Sequence, residues 1–537
     1  MKPCRLLAAV VLSTVVLLGC QPNSNTLRTK TLVYCFEGSP ATLNPQQATG
    51  SLSFDATVDI IYETLISYDQ TSGRFRPKLA THWSISPDQK HYTFHLRKNV
   101  QFHHGWGFQP SRSLNAQDVV FSFQRQLDSQ HPFHNVGSAD YPYFHTNRLH
   151  QVLKDIVQID PYTVEFVLEK PLPNFLTLLS MDFAIIQSAE YADFRMRNRR
   201  LFDDQPIGTG PFRMTSHKSG FYLRYQRFER YWGDPPYFQK LVFAVSPSPA
   251  VRLGRLMTGE CDLMSQPQPR QLLTLKKTPQ IKVSEFSDNS ISYWAFNVLK
   301  PRFSDPRIRK ALAMAVDRQR LVDIVYNGTG QVARGLLPEN FFGFAPVVDI
   351  TLDPVGAKTL LRASGWDFSR EFEIVVPDVQ RSYNPNPLQT AQLIRYDLSK
   401  IGVKAKIKAL PWTALLRHLN LGQYDTVIMG WRADNMDPVD FLYPIASCDG
   451  RTSGTNRALW CHPDFDRLLI KARQTTVHEE RQRYLVEAQR LFVQDLPWYP
   501  LVSANRYVAH QASIKGIRHS ASGRILFKKI TRTRKKP

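Results

Sequence analysis

The sequence predicts an α/β protein divided into two or three lobes, and three observations carry that expectation. At 537 residues the chain is too long for a single hydrophobic core. Strand-like and helix-like patterns alternate between Glu371 and Trp431, which is the signature of a parallel sheet with covered faces. Apolar residues at 42% and aromatics at 12%, with no long polar tract, place the chain among ordinary globular proteins rather than disordered ones.

In chain order, the first element is not part of the fold. "MKPCRLLAAVVLSTVVLLGC" carries Lys2 and Arg5 ahead of an apolar run from Leu6 to Leu18, shorter than the roughly 20 residues of a membrane span. It reads as a signal peptide over residues 1–20. The run ends in Leu17-Leu18-Gly19-Cys20, a small residue followed by cysteine, so lipidation is expected at Cys20. The alternative is a plain secretory signal with an incidental cysteine. No later segment is apolar enough to cross a bilayer.

Next come the half-buried strands of "HYTFHLRKNVQFH", in which Tyr92, Phe94 and Leu96 alternate with His91, Thr93, His95 and Arg97. "SLNAQDVVFSFQRQL" reads as a helix capped by Asn115 with Val119 and Phe123 on one side. "SDPRIRKALAMAVDRQRLVDIVYNG" is one helical segment, capped by Ser304 or Asp305, with Pro306 in its first turn and Ile308, Ala311, Leu312 and Ala315 on one face. The informative stretch follows. Glu371–Val376 is a strand, Leu388–Lys400 a helix closed by Gly402, "VKAKIKAL" a second strand and "YDTVIMGW" a third. No 20 to 50 residue repeat is visible, which excludes a solenoid or propeller.

Export implies an oxidising compartment, and loss of Cys4 with lipidation of Cys20 leaves Cys35, Cys261, Cys448 and Cys461. Of three possible connectivities, Cys35–Cys261 with Cys448–Cys461 is favoured, because the second pair closes a short loop around "DGRTSGTN". No two of the four have the spacing of a zinc knuckle. Removing Lys2 and Arg5 lowers the net charge only from +22 to +20. Nucleic acid is the usual partner of such a charge, but export argues against it. The charge is dispersed except in the tail "KKITRTRKKP", expected to be a solvated or membrane-touching end. A body this positive repels cations and attracts anions at long range.

In open α/β sheets ligands bind beyond the carboxyl ends of the strands. Arg381 lies just past the first strand of the alternating region and Asp434 just past the last, so the two should share one edge. A rim carboxylate is costly unless paired, and a primary ammonium has the right size and charge. The Arg381 fork suits a carboxylate. Together they measure a zwitterion whose charged ends are two residues apart, about 7 Å when extended, which fits a dipeptide. The competing use of these residues is structural: Asp434 as a turn cap before Asp437-Pro438, Arg381 in a surface ion pair. Trp431 and Tyr383 flank the charged groups as candidate walls of the site, with core packing as the alternative.

Other chemistries fit less well. Asp434, Asp437 and Asp440 are spaced by three, yet Pro438 and the absence of a suitably placed glycine break a calcium-loop pattern. Hydrolysis by paired carboxylates needs a separation that no spacing shows. His103 and His104, read as strand neighbours, face opposite sides and do not form a joint metal or haem site. There is no Gly-x-Ser-x-Gly elbow, P-loop or dinucleotide fingerprint, so no catalytic residue and no metal site is expected. Asn327-Gly-Thr matches a glycosylation acceptor only by chance.

Several blocks taken in order resemble a known family. "LVYCFEGSPATLNPQ", "LATHWSISPDQKHYTFHLRKNVQFHHG", "LNAQDVVFSFQR", "IGTGPF", "AFNVLKPRFSDPRIRKALAMAVDR" and "GWRADNMDPVDF" are similar to the extracytoplasmic solute-binding proteins of peptide ABC importers, the cluster of dipeptide- and oligopeptide-binding proteins. "FQPSRSLNAQDVVFSFQRQLDSQHPFHNVG" and "RALWCHPDFD" look most like its Sap branch. The resemblance covers nearly all of the mature chain. It implies a periplasmic-binding-protein-like two-lobe clam-shell (type II, cluster C) with an extra α+β domain. "IGTGPF" then marks the return from that domain. The implied division is lobe I at 21–61, 211–287 and 506–537, the extra domain at 62–210, and lobe II at 288–505.

The resemblance also implies roles. Dipeptide-binding relatives hold the ligand's ammonium on the aspartate of a "GW..DN" motif and its carboxylate on an arginine before "YNPN", positions that fall on Asp434 and Arg381. The paired cysteines of such relatives fall on Cys35, Cys261, Cys448 and Cys461. The implied protein is a lipid-anchored periplasmic binder, a monomer without cofactor and without enzymatic activity, serving an ABC permease. Ala433 stands where dipeptide binders have a glycine, which narrows the pocket beside Asp434. Sap proteins have been linked to antimicrobial peptides, haem and polyamines. A body at +20 is a poor long-range attractor of cationic peptides, whereas haem and zwitterionic dipeptides face no such penalty. An exported peptidase using the same carboxylates is the alternative from another class.

Overall fold

A computed structural model describes residues 30–48, 51–69, 74–137, 141–172, 174–453, 455–475, 477–520 and 522–533. The expected signal peptide and the lipidation site Cys20 lie outside the described residues, as do the last four residues of the basic tail.

The described chain opens with strand β1 (Thr31–Phe36) and the short helix α1 (Ser51–Thr57). A four-stranded antiparallel sheet follows, built from β2 (Ala80–Ile85), β3 (His91–Leu96), β4 (Leu153–Asp160) and β5 (Thr163–Leu168) in the spatial order β2-β3-β5-β4. The expected alternation is realised in β3, where Tyr92, Phe94 and Leu96 are buried while His91, Thr93 and His95 stay half-exposed. Helix α2 (Ala116–Leu127) covers the buried face. Asn115 caps it and Asp118 returns a bond to the Asn115 backbone, closing a capping box. Its Phe123 ring meets Phe166 of β5 edge-on at 4.9 Å.

Strands β6 (Phe212–Lys218), β7 (Tyr222–Arg227), β8 (Lys240–Val245) and β9 (Leu263–Ser265) assemble around β1 in the order β6-β7-β8-β1-β9. The long β10 (Ile281–Phe296) leads away from them. Further along come β11 (Phe372–Pro377), α3 (Pro387–Lys400), β12 (Ala405–Leu410), α4 (Trp412–Asn420), β13 (Thr426–Arg432), α5 (Pro438–Ala446) and β14 (Trp498–Gln511). β11 runs parallel to both β12 and β13, as helical crossovers require. The long β10 and β14 pair antiparallel and join these strands to the first group in one 11-stranded sheet. Their register breaks between Ser287 and Ile291, where Asn289 adopts φ +54°.

Buried apolar side chains fall into separate clusters. One takes residues from Ile291 to Ala504, a second residues from Leu65 to Ile207. A third joins β1 and α1 to Phe212, Phe243, Val508 and Phe527. A small fourth includes Leu256, Leu275 and Ala509. The changeover on β10 and β14 occurs at the register break, so two strands serve cores on either side of one weak point.

Three local expectations are corrected. The segment expected to be a single helix from Ser304 is broken: Pro306–Met314 and Arg318–Ile324 are separate helices. Asp317 starts the second by accepting the Arg320 amide at 3.0 Å, a cap that the helical periodicity hid. The crossover helix α4 between β12 and β13 was not expected. The tail is not simply a solvated end, because Ile530 is fully buried and Thr531–Arg532 pairs with Ile514–Lys515.

Candidate ligand-binding site

β11, β12 and β13 end at one edge, and the residues that follow each strand line a common cavity of about 980 Å³. Arg381 and Tyr383 come from the loop after β11, Trp412 from the start of α4, and Trp431, Ala433 and Asp434 from the end of β13. Tyr68, Asp182 and Arg524 line the same cavity.

The loop carrying Arg381 is locked by its neighbours. Arg381 and Asn384 exchange backbone hydrogen bonds of 2.9 and 3.1 Å. The Asn384 side chain donates to Thr390 at 3.0 Å and accepts the Asn386 amide at 3.0 Å, while Asn386 caps α3 by accepting the Gln389 amide. These asparagines act as turn and cap residues in "YNPN". The Arg381 guanidinium lies over the Trp412 ring, 3.9 Å from its centre, and makes no ion pair among the described residues.

Tyr383 packs face-on against β13, where only glycine fits. A Cβ on Gly430 would stand 2.3 Å from the Tyr383 ring and 2.7 Å from the Ile291 carbonyl. The Tyr326 hydroxyl donates to the Tyr383 carbonyl at 2.7 Å and holds the loop down. The Tyr383 ring is buried, but its hydroxyl has no hydrogen-bond partner and borders the cavity. Burial raises the hydroxyl pKa, against the pull of the Arg381 charge. Trp431 is half-buried with its indole N–H unpartnered.

The three aspartates after β13 separate cleanly. Asp437 caps α5 by accepting the Val439 amide at 2.8 Å and pairs with Arg481 at 2.7 Å. Asp440 pairs with Arg473 at 2.7 Å and accepts from Asn435 at 2.9 Å and from Asn174, distant in sequence, at 3.0 Å. Asp434 alone makes no hydrogen bond or ion pair among the described residues. Its carboxyl is pushed up to about 6, chiefly by the surrounding protein, with Asp440 adding and Arg432 opposing. The side chain still touches solvent within the gap, so its full desolvation awaits whatever covers it. Asp434 therefore does not serve as the turn cap; Asp437 does.

The remaining candidates fall elsewhere. His103 and His104 do go to different environments, but in an irregular segment rather than a strand. His103 is buried with Nε2 2.8 Å from the Gly210 carbonyl, and His104 is exposed. Disulfides join Cys35 to Cys261 and Cys448 to Cys461. Among the described residues, no group of three His, Cys, Asp or Glu is arranged to hold a metal ion, and no helix is long and apolar enough to cross a membrane. Trp412 was missed from sequence. It stands at the carboxyl end of β12, and the strand-edge rule that selects Arg381 and Asp434 also selects it.

Residues 74–453 match the family model described as bacterial extracellular solute-binding proteins, family 5. The dipeptide-binding protein of Escherichia coli K12 is 37% identical over 493 residues, covering 91% of this chain and 92% of its own. The peptide transport periplasmic protein SapA of Salmonella typhimurium is 35% identical over 515 residues, 95% and 94% of the two chains. Heme-binding protein A of Haemophilus influenzae is 34% identical over 525 residues, 95% and 96%. Among solved structures, HbpA2 of Haemophilus parasuis superposes with a TM-score of 0.89 at 35% identity, covering 94% of this chain and all of the other. The dipeptide binding protein of Pseudoalteromonas sp. SM9913 in complex with Met-Leu superposes at 0.76 with 36% identity, again over 94% and 100%.

Proposed function

This chain belongs to the bacterial extracellular solute-binding proteins of family 5, and from that membership we propose that it captures a short zwitterionic peptide in the gap and delivers it, unaltered, to an ABC permease. The carrying observation is that a guanidinium and a carboxylate with no ion-pair partner, Arg381 and Asp434, line one cavity. Asp434 takes the ligand's ammonium and Arg381 its carboxylate. Tyr383 and Trp431 form walls that exclude water once the gap closes, which strengthens both charge pairs. The core clusters support a division into two lobes and an extra domain, with the register break at Ser287–Ile291 as the hinge. Closure then shifts the population toward the form the permease recognises. Working as a monomer and anchored to the membrane through Cys20 also belong to this reading.

A second reading, haem, has one observation behind it. A gap of about 980 Å³ sits at the top of the roughly 300–1,000 Å³ range of ligand pockets and exceeds the need of a dipeptide.

The test is calorimetry with alanyl-phenylalanine, its N-acetyl form and its C-terminal amide, together with an absorbance titration with haemin. Binding of the free dipeptide with loss of at least about tenfold on blocking either end supports the peptide reading. A Soret shift with indifference to the blocked ends would replace it with the haem reading. Release of free amino acids from the dipeptide would instead reveal a peptidase.

A further inference from the structure

A second carboxylate in the same gap has no partner. Asp55, on α1, lines the same cavity as Asp434. Its side chain is more than nine-tenths buried at 8% exposure, its Oδ1 has no hydrogen-bond partner, and it makes no ion pair among the described residues. Such a group is costly to keep, and its cost shows in a carboxyl pushed up to about 6, chiefly by burial.

The surroundings supply positive charge but no ion pair to Asp55 among the described residues. Arg506, the strongest positive influence on Asp55, lies 3.8 Å from Asp288 and donates to the Gly523 carbonyl. Arg524 is held by Asp59 at 2.9 Å and Asp182 at 2.8 Å. Arg432 also pairs with Asp288, at 3.4 Å. Glu37 adds a further negative charge beside Asp55. Each of these arginines pairs with another acid, and Arg506, which also feels the Asp55 charge, comes within ion-pair distance of Asp288 but not of Asp55 among the described residues. The charges acting on Asp434 are Arg432 and Asp440, and Asp55 is not among them. The two acids reach the cavity from different parts of the chain, Asp55 from α1 and Asp434 from the loop after β13.

Resting on the peptide reading above, we propose that Asp55 is a specificity-determining residue that receives a second cationic group, so that the preferred ligands are short peptides with a lysine, ornithine or arginine side chain. The ligand's α-ammonium occupies Asp434 and its side-chain cation occupies Asp55. A cation brought there forms a charge-assisted pair shielded from solvent on most sides. The preference is local, since the +22 net charge works against any cation at long range.

The experiment compares Ala-Lys and Lys-Ala with Ala-norleucine and norleucine-Ala, which have the same carbon chain without the side-chain ammonium. Affinities are measured by calorimetry at pH 7.5 on the wild-type protein and on Asp55→Asn. At least one lysine peptide should bind about tenfold more tightly than its norleucine partner in the wild type. Asp55→Asn should abolish that difference while keeping the norleucine peptides within about twofold. Its thermal midpoint at pH 7.5 should not fall, because an unpaired buried charge is removed. Equal affinities of lysine and norleucine peptides for the wild type would overturn the assignment without any variant. So would a lysine preference that survives Asp55→Asn. Failure of the wild type to bind any of the four would overturn this inference and the peptide reading together, which separates it from the failure of Asp55 alone.

Discussion

Replacing Asp434 with asparagine tests the central charge pair, because the amide keeps the shape of the carboxylate and removes its charge. A hydrogen bond to a charged partner contributes about 1.5–3 kcal/mol. An ammonium left unpaired in a closed gap costs toward the upper part of that range and beyond. Asp434 is open to solvent in this structure, so its own desolvation on closure offsets part of the gain. About 2 kcal/mol remains, a loss of roughly thirtyfold in affinity. Calorimetry with alanyl-alanine at pH 7.5 and low salt measures it, with a thermal melt confirming the fold.

The same pair has a pH signature. The carboxyl titrates near 6 in the free protein, and an ammonium binds its ionised form, so ligand lowers that pKa and binding releases a proton. Affinity is then nearly flat above pH 7 and falls as pH drops through 6, to about one-tenth at pH 5. The charges facing Asp434 are Arg432 and Asp440; the arginine keeps its charge throughout this window. A peptide with neutral side chains avoids the separate titration of Asp55. Asp434→Asn should bind weakly and without this slope. An affinity within threefold of wild type, or a slope retained in the variant, would refute the assignment of the ammonium to Asp434.

Two further outcomes are expected. Gly430→Ala should weaken peptide binding by more than about tenfold and cost about 1–3 kcal/mol of stability by overpacking, since the added methyl meets the Tyr383 ring at 2.3 Å and a backbone carbonyl at 2.7 Å; an unchanged melt and affinity would show that the loop yields freely. Replacing both Cys448 and Cys461 with serine opens a loop of sequence separation 13 and should cost about 3 kcal/mol, read as a shift in denaturant midpoint, while leaving the Cys35–Cys261 half of the molecule intact.

Much of the fold was legible because it rests on local rules. The parallel order of β11, β12 and β13 follows from strand and helix patterns in succession, and the edge where ligands bind follows from that order. The same order brings Arg381 and Asp434 to one cavity, and the alternation of β3 follows from its local pattern. What escaped depends on partners distant in sequence. Nothing in the sequence showed that Asp437 and Asp440 are held by Arg481 and Arg473, 44 and 33 residues away. No periodicity announces such a pairing. Asp55 escaped for a related reason: an aspartate in the middle of a short helix reads as a surface residue until long-range packing buries it. The break at Asp317 was hidden because apolar spacing continues across it, and only the cap geometry interrupts the helix.

The charges left over in the gap bear on what it holds. Lys78 is held by Asp59, Arg76 by Asp69, Arg524 by Asp59 and Asp182, and Arg432 and Arg506 by Asp288. The lining groups without an ion pair among the described residues are Asp55 and Asp434 on one side of the ledger, and Arg381, Arg457 and Arg518 on the other. Arg457 is buried and donates to the Asn420 side chain at 2.9 Å. A polyamine would satisfy the acids and leave the buried Arg457 and the half-buried Arg381 unanswered. The propionates of haem would do the reverse, leaving Asp55 unpaired at 8% exposure. A ligand carrying both signs answers both sets at once. Since each unpaired buried charge costs several kcal/mol, peptides with both free termini are favoured over either alternative even in a gap spacious enough for haem.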